Sequence, residues 1–357
     1  LANKICSSVS RFIPLRIKEI ISETPDTFSL ILEKPSSGFD YLPGQYLTLR
    51  VEIDGKKYPR AYSLSSSPYL DTDLRVTIKR LEGGVVSNFI WRNLRVGDRI
   101  EVFPPLGNFT VQPQPKRAVQ YFFIAAGSGI TPIFGMLRSI LFIEPKSYIL
   151  LLYGNRDEEH IIFRGLLEKL VQQYGERLQV LHTLSRPSAD WQARTGRISR
   201  EWIVENLNLI RRRLLPIEAY ICGPSGMMTM AVETLLAQKL PREKIHTESF
   251  TAPLPEVVAK EPPEPVTEAQ ATIHLDGKVY QVMIKPGQSI LKAAQEAGLD
   301  PPYACEEGIC CTCRAKLHKG KVHMAVREAL SDWEIEKGYI LTCQAVPLTS
   351  ELVLEYG

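Results

Sequence analysis

The sequence predicts a multidomain protein of three modules in series. These are an antiparallel β-barrel, a parallel-sheet α/β domain and, beyond a tether, a small α+β module built around four cysteines. Three observations carry the prediction. Short alternating segments separated by turn residues fill the N-terminal part. Continuous apolar runs alternating with helical patterns follow. A proline-rich stretch then precedes Cys305, Cys310 and Cys313 in the string C-E-E-G-I-C-C-T-C, with Cys343 later in L-T-C-Q. A chain of 357 residues has room for several such cores.

The barrel reading covers residues 1–115. Thr27–Leu32, Tyr46–Val51 and Leu74–Leu81 read as strands, separated by Pro35-Ser36-Ser37-Gly38 and Asp54-Gly55 in the pattern of an antiparallel barrel. Gln112-Pro113-Gln114-Pro115 closes the segment. Inside it, Arg60-Ala61-Tyr62-Ser63 follows Pro43-Gly44-Gln45-Tyr46. An arginine offers a fixed fork of donors to a phosphate. Tyr62, on the same strand face, is placed to cover a flavin ring, and Ser63 to donate to it. Gly83-Gly84-Val85-Val86-Ser87 reads as a turn entering a helix, whose first amides suit a pyrophosphate. Each string alone is common, and Gly-Gly is usually only a turn; their occurrence in one barrel is the signal.

Residues 116–250 change character. Tyr121–Ala126, Tyr148–Tyr153 and Glu218–Cys222 are apolar runs, and helical patterns lie around Pro132–Phe142, Glu158–Gln173 and Ser225–Gln238. Ala126-Gly127-Ser128-Gly129-Ile130-Thr131-Pro132 predicts strand, glycine turn, Thr131 as N-cap and Pro132 as first helical residue. Cys222-Gly223-Pro224-Ser225-Gly226 repeats the device. Two glycine turns at the carboxyl ends of parallel strands make a nucleotide crevice. Ala118–Leu137 carries no charge and is long enough to span a bilayer, but its glycines and proline break it into strand, turn and helix, so no membrane insertion is expected.

Thr251–Glu268 contains five prolines and reads as an extended linker. From 269 to 357, Ala271–Leu275 and Lys278–Ile284 flank Asp276-Gly277, a two-residue hairpin signal. Ser289 is a candidate N-cap; Ile290, Leu291 and Ala294 form a helical stripe, and Gly298 a stop. The C-x4-C-x2-C loop with a distant fourth cysteine is the plant-type 2Fe–2S spacing, and hairpin, helix, cysteine loop is the order of a β-grasp ferredoxin. The competing metal is zinc, whose cysteines usually pair at short intervals on both sides; here Cys343 stands alone. Cys311 falls outside the spacing and reads as a packed neighbour.

A formal charge of +3 gives no ground for nucleic acid or a membrane surface. Arg211-Arg212-Arg213 reads as an exposed helix face. Leu1–Lys18 lacks the apolar core of a signal peptide, and clustered cysteines point to a metal centre in a reducing compartment rather than a disulfide framework. Cytoplasmic localisation is the expectation.

Arg60–Ser63, Gly84–Ser87, Gly127–Pro132, Cys222–Gly226 and Glu248-Ser249-Phe250 together resemble the ferredoxin–NADP reductase superfamily. With the appended 2Fe–2S module the chain resembles an oxygenase reductase subunit. C-E-E-G-I-C-C-T-C-R-A-K-L and G-Y-I-L-T-C-Q are most similar to the phenylacetyl-coenzyme A epoxidase type, which belongs to phenylacetate degradation. The resemblance implies Arg60 at the flavin pyrophosphate, with Ala61 between it and Tyr62 against the isoalloxazine, and Ser63 at the ring edge. It implies Gly84, Val85, Val86 and Ser87 at the FAD diphosphate. Flavin-mononucleotide relatives carry an arginine in this turn, and none follows Gly84. Gly127, Ser128, Gly129, Thr131, Pro132, Gly223 and Pro224 would hold the nicotinamide dinucleotide, with Thr131 and Cys222 flanking the nicotinamide. Glu248 and Phe250 would close the other flavin face; a core aromatic is the plain alternative for Phe250. Ser63, Cys222, Glu248 and Phe250 are the implied catalytic set, and Cys305, Cys310, Cys313 and Cys343 the iron ligands. Ser185-Arg186 sits where relatives bind the 2′-phosphate of NADPH, with Arg156 and Arg194 adding charge, so NADPH is expected and NADH is the alternative. The implied function is electron transfer from NADPH through FAD and a 2Fe–2S cluster to an oxygenase or other acceptor protein. A general reductase for a ring-hydroxylating oxygenase or desaturase, and a redox sensor, are the other readings.

Overall fold

The structure is a computed structural model that describes residues 12–36, 38–250 and 268–356. The linker reading falls almost wholly outside the described residues.

The first module is built from β1 (Ile13–Thr24), β2 (Thr27–Leu32), β3 (Tyr46–Ile53), β4 (Lys56–Ser63), β5 (Leu74–Lys79), α1 (Val85–Asn93) and β6 (Arg99–Leu106). Its sheet runs β4-β3-β6-β1-β2-β5, every pair antiparallel. A bridge between Leu64 and Val76 brings the end of β4 onto β5 and closes the barrel. Asp54 and Gly55 take φ of 51° and 73°, the left-handed pair that a two-residue hairpin requires. Leu47 and Leu49 alternate into a core with Ile17, Leu30 and Val102. Helix α1 covers that core, with Trp91 5.0 Å from Phe28, ring centre to ring centre.

The second module comprises β7 (Gln120–Ala126), α2 (Ile130–Ile143), β8 (Tyr148–Asn155), α3 (Arg164–Tyr174), β9 (Leu178–Leu184), β10 (Arg194–Thr195), α4 (Arg200–Arg211), β11 (Ile217–Cys222), α5 (Ser225–Ala237) and β12 (Ile245–Glu248). The sheet order is β10-β9-β8-β7-β11-β12, all parallel. Phe123, Phe134 and Leu137 belong to the core on one face, and Phe122, Leu152 and Leu207 to the core on the other. Two covered faces explain why the strands read as unbroken apolar runs. The chain leaves β7 toward β10, then returns to β11 on β7's other side. The carboxyl ends of β7 and β11 are therefore the point where strand order reverses. The uncharged stretch 118–137 divides into β7, a 3₁₀ turn at Gly127–Gly129 and the start of α2. No helix among the described residues is long and apolar enough to cross a membrane.

Three local expectations are corrected. Thr131 is not an N-cap. The glycine turn runs straight into the helix, Gly129 takes the cap position without a side-chain bond, and no extended residue is left to present a hydroxyl. The Thr131 hydroxyl instead donates to the Ser128 carbonyl at 2.9 Å, and Pro132 becomes the third helical residue. It is tolerated there because first-turn amides lack intrahelical partners anyway. The helical pattern at Glu158–Gln173 starts as helix only at Arg164, after a left-handed Phe163 with φ of 63°. Arg212 and Arg213 are exposed as expected, but the three arginines lie at the C-terminal end of α4 rather than along a face. Arg211 donates to the Gln238 carbonyl and Arg213 stands 3.9 Å over the Tyr148 ring, a placement that also suits the helix dipole.

The third module holds β13 (Ala269–Leu275), β14 (Lys278–Ile284), α6 (Ile290–Glu296), β15 (Arg314–Lys319), β16 (Val322–Met324), α7 (Asp332–Glu336), β17 (Tyr339–Leu341), β18 (Ala345–Pro347) and β19 (Glu351–Tyr356). Its mixed sheet runs β14-β13-β19-β15-β17, the β-grasp arrangement. Asp276 and Gly277 are left-handed, at φ of 53° and 71°. Ser289 caps α6 by accepting from the Lys292 amide at 3.3 Å, and Ile290, Ala293 and Ala294 pack against Ala271, Ile273 and Leu352.

The switch point depends on Gly129. A Cβ there would stand 2.1 Å from the Cys222 carbonyl oxygen, where backbone rather than a mobile side chain must yield. Gly129→Ala is expected to cost about 2 kcal/mol, read as a lower urea midpoint in equilibrium unfolding. An unchanged midpoint would mean that the Gly127–Gly129 turn does not press on the end of β11.

Candidate functional site

The crevice forms where β7 and β11 end. Gly129 lies flush against Cys222, and a Cβ on Gly223 would meet Met227 at 2.7 Å and Ala126 at 3.2 Å. The first turns of α2 and α5 open here. Neither has a side-chain cap, so their amides suit an anion. Cys222 is fully buried, and burial pushes its thiol well above the usual range. Register places Glu248 opposite Cys222. The Ser63 hydroxyl of the barrel donates to Glu248 Oε2 at 3.5 Å, so Ser63, Cys222 and Glu248 come together from two modules. Desolvation raises the Glu248 carboxyl to about 8, opposed in part by Ser63. Phe250, 41% exposed, is not a core aromatic.

On β4, Arg60 and Tyr62 share one face and Ala61 and Ser63 the other. Arg60 donates to the Pro59 carbonyl at 2.7 Å and the Ala304 carbonyl at 3.3 Å, the second in the cysteine module. Burial pushes the Tyr62 phenol well up. Gly83 is left-handed at φ 70°, and Gly84 caps α1 without a side chain, leaving the start of the helix open at Val85 and Val86. Ser87 is buried, and its hydroxyl accepts from the Leu81 amide at 3.3 Å. A cavity of about 740 Å³ opens over this turn, lined by Arg80, Arg92, Arg156 and Asp26 among others. Arg80 and Arg92 were not among the sequence candidates. Arg80's position immediately ahead of the glycine turn was the available signal. Arg156, expected near a coenzyme phosphate, faces this cavity instead. Ser185 and Arg186 are exposed after β9, their amides donating to the carbonyls of Asn155 and Arg156 at 3.0 and 2.7 Å. Arg194 stands 5.2 Å over the Trp202 ring.

The four spaced cysteines come together two by two. Cys305 lies within hydrogen-bonding reach of Cys310, and Cys313 of Cys343. The bond with Cys310, then backbone amides, lower the Cys305 thiol to about 6, and the Glu307 amide donates to its sulfur at 3.3 Å. Gly308 is left-handed, and a Cβ there would meet Val326 and Gln344 at 2.9 Å. Among the described residues no three His, Cys, Asp or Glu side chains converge on one point. Two thiol pairs fit a cluster taking two thiolates per iron, whereas zinc draws four to one ion. Cys311 packs as a neighbour: its thiol donates to the Ala329 carbonyl at 2.9 Å, and burial pushes it up to about 12.

This loop sits on the barrel. The Cys311 amide donates to the Tyr46 hydroxyl at 2.8 Å, and Thr48 and Thr312 hydroxyls are 3.0 Å apart. Arg50 and Lys57 reach Asp300 at 3.2 Å. Asn108 donates to Glu334 at 2.7 Å and to the Ala329 carbonyl at 3.1 Å. No sequence motif announces these contacts. A cavity of about 150 Å³ marks the junction of the three modules, lined by Tyr46, Phe109, Glu248 and Cys310 among others.

Glu248 yields a pH prediction. Its folded pKa lies above its ordinary 4.5, so the native state holds a proton that the unfolded chain releases. Its contribution is complete below pH 4.5 and is lost as pH rises through about 8. Glu248→Gln is expected to flatten the pH dependence of urea stability across that window. An unchanged slope would show the carboxylate to be ionised throughout.

Comparison with known proteins agrees with this arrangement. Residues 13–111 match the oxidoreductase FAD-binding domain, 123–233 the oxidoreductase NAD-binding domain and 273–348 the 2Fe-2S iron-sulfur cluster binding domain. The chain is 37% identical to a component of the 1,2-phenylacetyl-CoA epoxidase of Escherichia coli K12, covering 98% of each chain. It is 34% identical to the ferredoxin reductase component of the Rhodococcus rhodochrous 3-ketosteroid-9-alpha-monooxygenase, covering 97% of each. The crystal structure of phthalate dioxygenase reductase shares the fold over 97% of this chain and 98% of that one, at TM-score 0.59 and 24% identity. The chain belongs to the family of NAD(P)H-dependent flavin iron–sulfur reductases that serve as reductase components of oxygenase systems.

Proposed function

We propose that this reductase takes electrons from NADPH and passes them to an oxygenase of the phenylacetyl-CoA epoxidase type in the cytoplasm, with working modules at 1–115, 116–250 and 269–357 joined by the linker 251–268. The observation that carries the electron route is the three-module junction, where Glu248 of the α/β sheet, Tyr46 of the barrel and Cys310 of the cysteine loop line one cavity. FAD when bound takes two electrons as hydride and releases them singly, and a 2Fe–2S cluster carries one at a time.

The chain's own residues supply position and environment. Arg60 and the amides of Val85, Val86 and Ser87, beyond Gly84, hold the flavin phosphates, with Tyr62 and Phe250 on its ring faces and Ser63 at its edge. The large cavity lined by three arginines beside Gly83-Gly84 supports a dinucleotide rather than a mononucleotide flavin, because it gives an adenosine phosphate a cationic bed. Gly127, Ser128, Gly129, Thr131, Pro132, Gly223 and Pro224 form the wall that receives the coenzyme. Cys222 stays a neutral thiol against the nicotinamide, and Glu248 holds its proton beside Ser63 at neutral pH, keeping unpaired negative charge out of a dry site. Cys305, Cys310, Cys313 and Cys343 are the iron ligands. The thiolates this requires fit a reducing compartment.

The choice of acceptor is supported by near full-length similarity to the Escherichia coli epoxidase component. A ring- or steroid-hydroxylating partner is the second reading, favoured by comparable similarity to the ketosteroid monooxygenase component.

Anaerobic addition of NADPH, then separately NADH, is expected to bleach the flavin band and then the cluster bands, with NADPH effective at lower concentration. Flavin bands without cluster bands would overturn the route. Arg186→Glu is expected to raise the KM for NADPH roughly tenfold, the equivalent of about 1.4 kcal/mol, and to leave that for NADH nearly unchanged. An equal effect on both would remove Arg186 from coenzyme selection. Cys310→Ser is expected to abolish the cluster spectrum and Cys311→Ser to retain it; the reverse pattern would reassign the ligands.

A further inference from the structure

Tyr46 lines the three-module junction, but its buried side chain has been given no role of its own. It is 5% exposed and pairs directly with Ser63 across β3 and β4. Directly opposed residues of an antiparallel pair share a face, so the Tyr46 ring stands beside the serine assigned to the flavin edge. Its far side is the cysteine loop. The ring packs with Ala304, Cys305 and Cys310, and the hydroxyl accepts the Cys311 amide at 2.8 Å. That amide belongs to the peptide bond carrying Cys310. The hydroxyl also lies 3.4 Å from Thr312 Oγ1, which Thr48 Oγ1 approaches to 3.0 Å. One residue thus spans the distance from the Ser63 row to an assigned iron ligand. A leucine would fill the space and leave the Cys311 amide buried without an acceptor.

We propose that Tyr46 is the positioning residue that couples the flavin edge to the cluster. Its hydroxyl fixes the Cys310–Cys311 peptide against β3, and its ring fills the path along which electrons cross. This rests on the electron route proposed above. In each crossing one electron leaves the reduced flavin and one arrives at the oxidised cluster. Tyr46 keeps its O–H bond, is neither oxidised nor reduced, and no bond forms or breaks.

The test compares Tyr46→Phe and Asn108→Ala with the wild-type holoprotein. Anaerobic stopped-flow follows flavin and cluster absorbance separately, and hydrogen exchange is read over residues 304–313. Asn108→Ala removes docking bonds to Ala329 and Glu334 and a 3.9 Å contact with the Cys311 sulfur but leaves the hydrogen bond between Tyr46 and the Cys311 amide. The expected result is unchanged flavin reduction in both variants. Cluster reduction in Tyr46→Phe slows about tenfold, the factor that loss of roughly 1.4 kcal/mol of hydrogen bonding corresponds to. Exchange over 304–313 quickens, the cluster's paramagnetic signal is unaltered, and Asn108→Ala slows transfer by a clearly smaller factor. Wild-type transfer in Tyr46→Phe, or equal slowing in Asn108→Ala, would overturn the proposal. Should Tyr46→Phe fail to hold its cluster, amide exchange over 304–313 in the wild-type holoprotein decides. Protection of the Cys311 amide supports the Tyr46 hydrogen bond, and solvent-like exchange overturns the proposal. A wild-type protein whose flavin bleaches while its cluster never does would instead defeat the electron route itself.

Discussion

The contact between β3–β4 and the cysteine loop sets how the third module is held against the first. It is a row of small, specific polar partners. Tyr46 meets Cys311, Thr48 meets Thr312, and Arg50 meets Asp300. Arg50 is the best-held member, 8% exposed, paired also with Glu101 at 2.7 Å and lying 3.7 Å over the Phe12 ring. Lys57–Asp300 is half in water on both sides and adds little. Each buried hydrogen bond is worth about 1 kcal/mol net. The row therefore defines register and orientation with a handful of interactions, and the apolar contribution is confined to the patch around Tyr46, Ala304 and Cys310.

Three different electrostatic environments mark the crevice, the glycine turn and the cysteine loop. On the crevice side, burial keeps the Cys222 thiol and the Glu248 carboxyl toward their neutral forms. Around the glycine turn ahead of α1, Arg80, Arg92 and Arg156 outnumber Asp26 and Glu82. The cysteine loop aims backbone amides at sulfur, Glu307 toward Cys305 and Gly308 toward Cys343, the arrangement that stabilises thiolates and tunes a cluster's potential. Under the proposed assignment these surroundings would suit hydride transfer, a phosphate and an iron–sulfur cluster in turn.

Much of this was legible in the sequence because it is local. The hairpin at Asp276-Gly277, the Ser289 cap and the apolar strands of the parallel sheet follow from residues within a few positions of one another. The glycines at 127, 129 and 223 announced the crevice for the same reason. The helix start at Ile130 differs from the sequence expectation because a capping hydroxyl is available at Thr131, whereas the backbone of the preceding turn has already assumed helical geometry. The charge of Arg156 suggests the coenzyme, yet the end of β8 carries it to the barrel's cavity. The docking row was invisible. Its partners stand more than two hundred positions apart, and Thr48, Thr312 and Asn108 carry no pattern until the modules are packed together.

One chain that holds a two-electron flavin and a one-electron cluster in electrical contact must take up electrons at both. An anaerobic reductive titration of the purified holoprotein, counting electrons against flavin, iron and sulfide content, is expected to give about three electron equivalents per chain, two at the flavin band and one at the cluster bands. Uptake of only about two, confined to the flavin, would show that the two centres are not in contact.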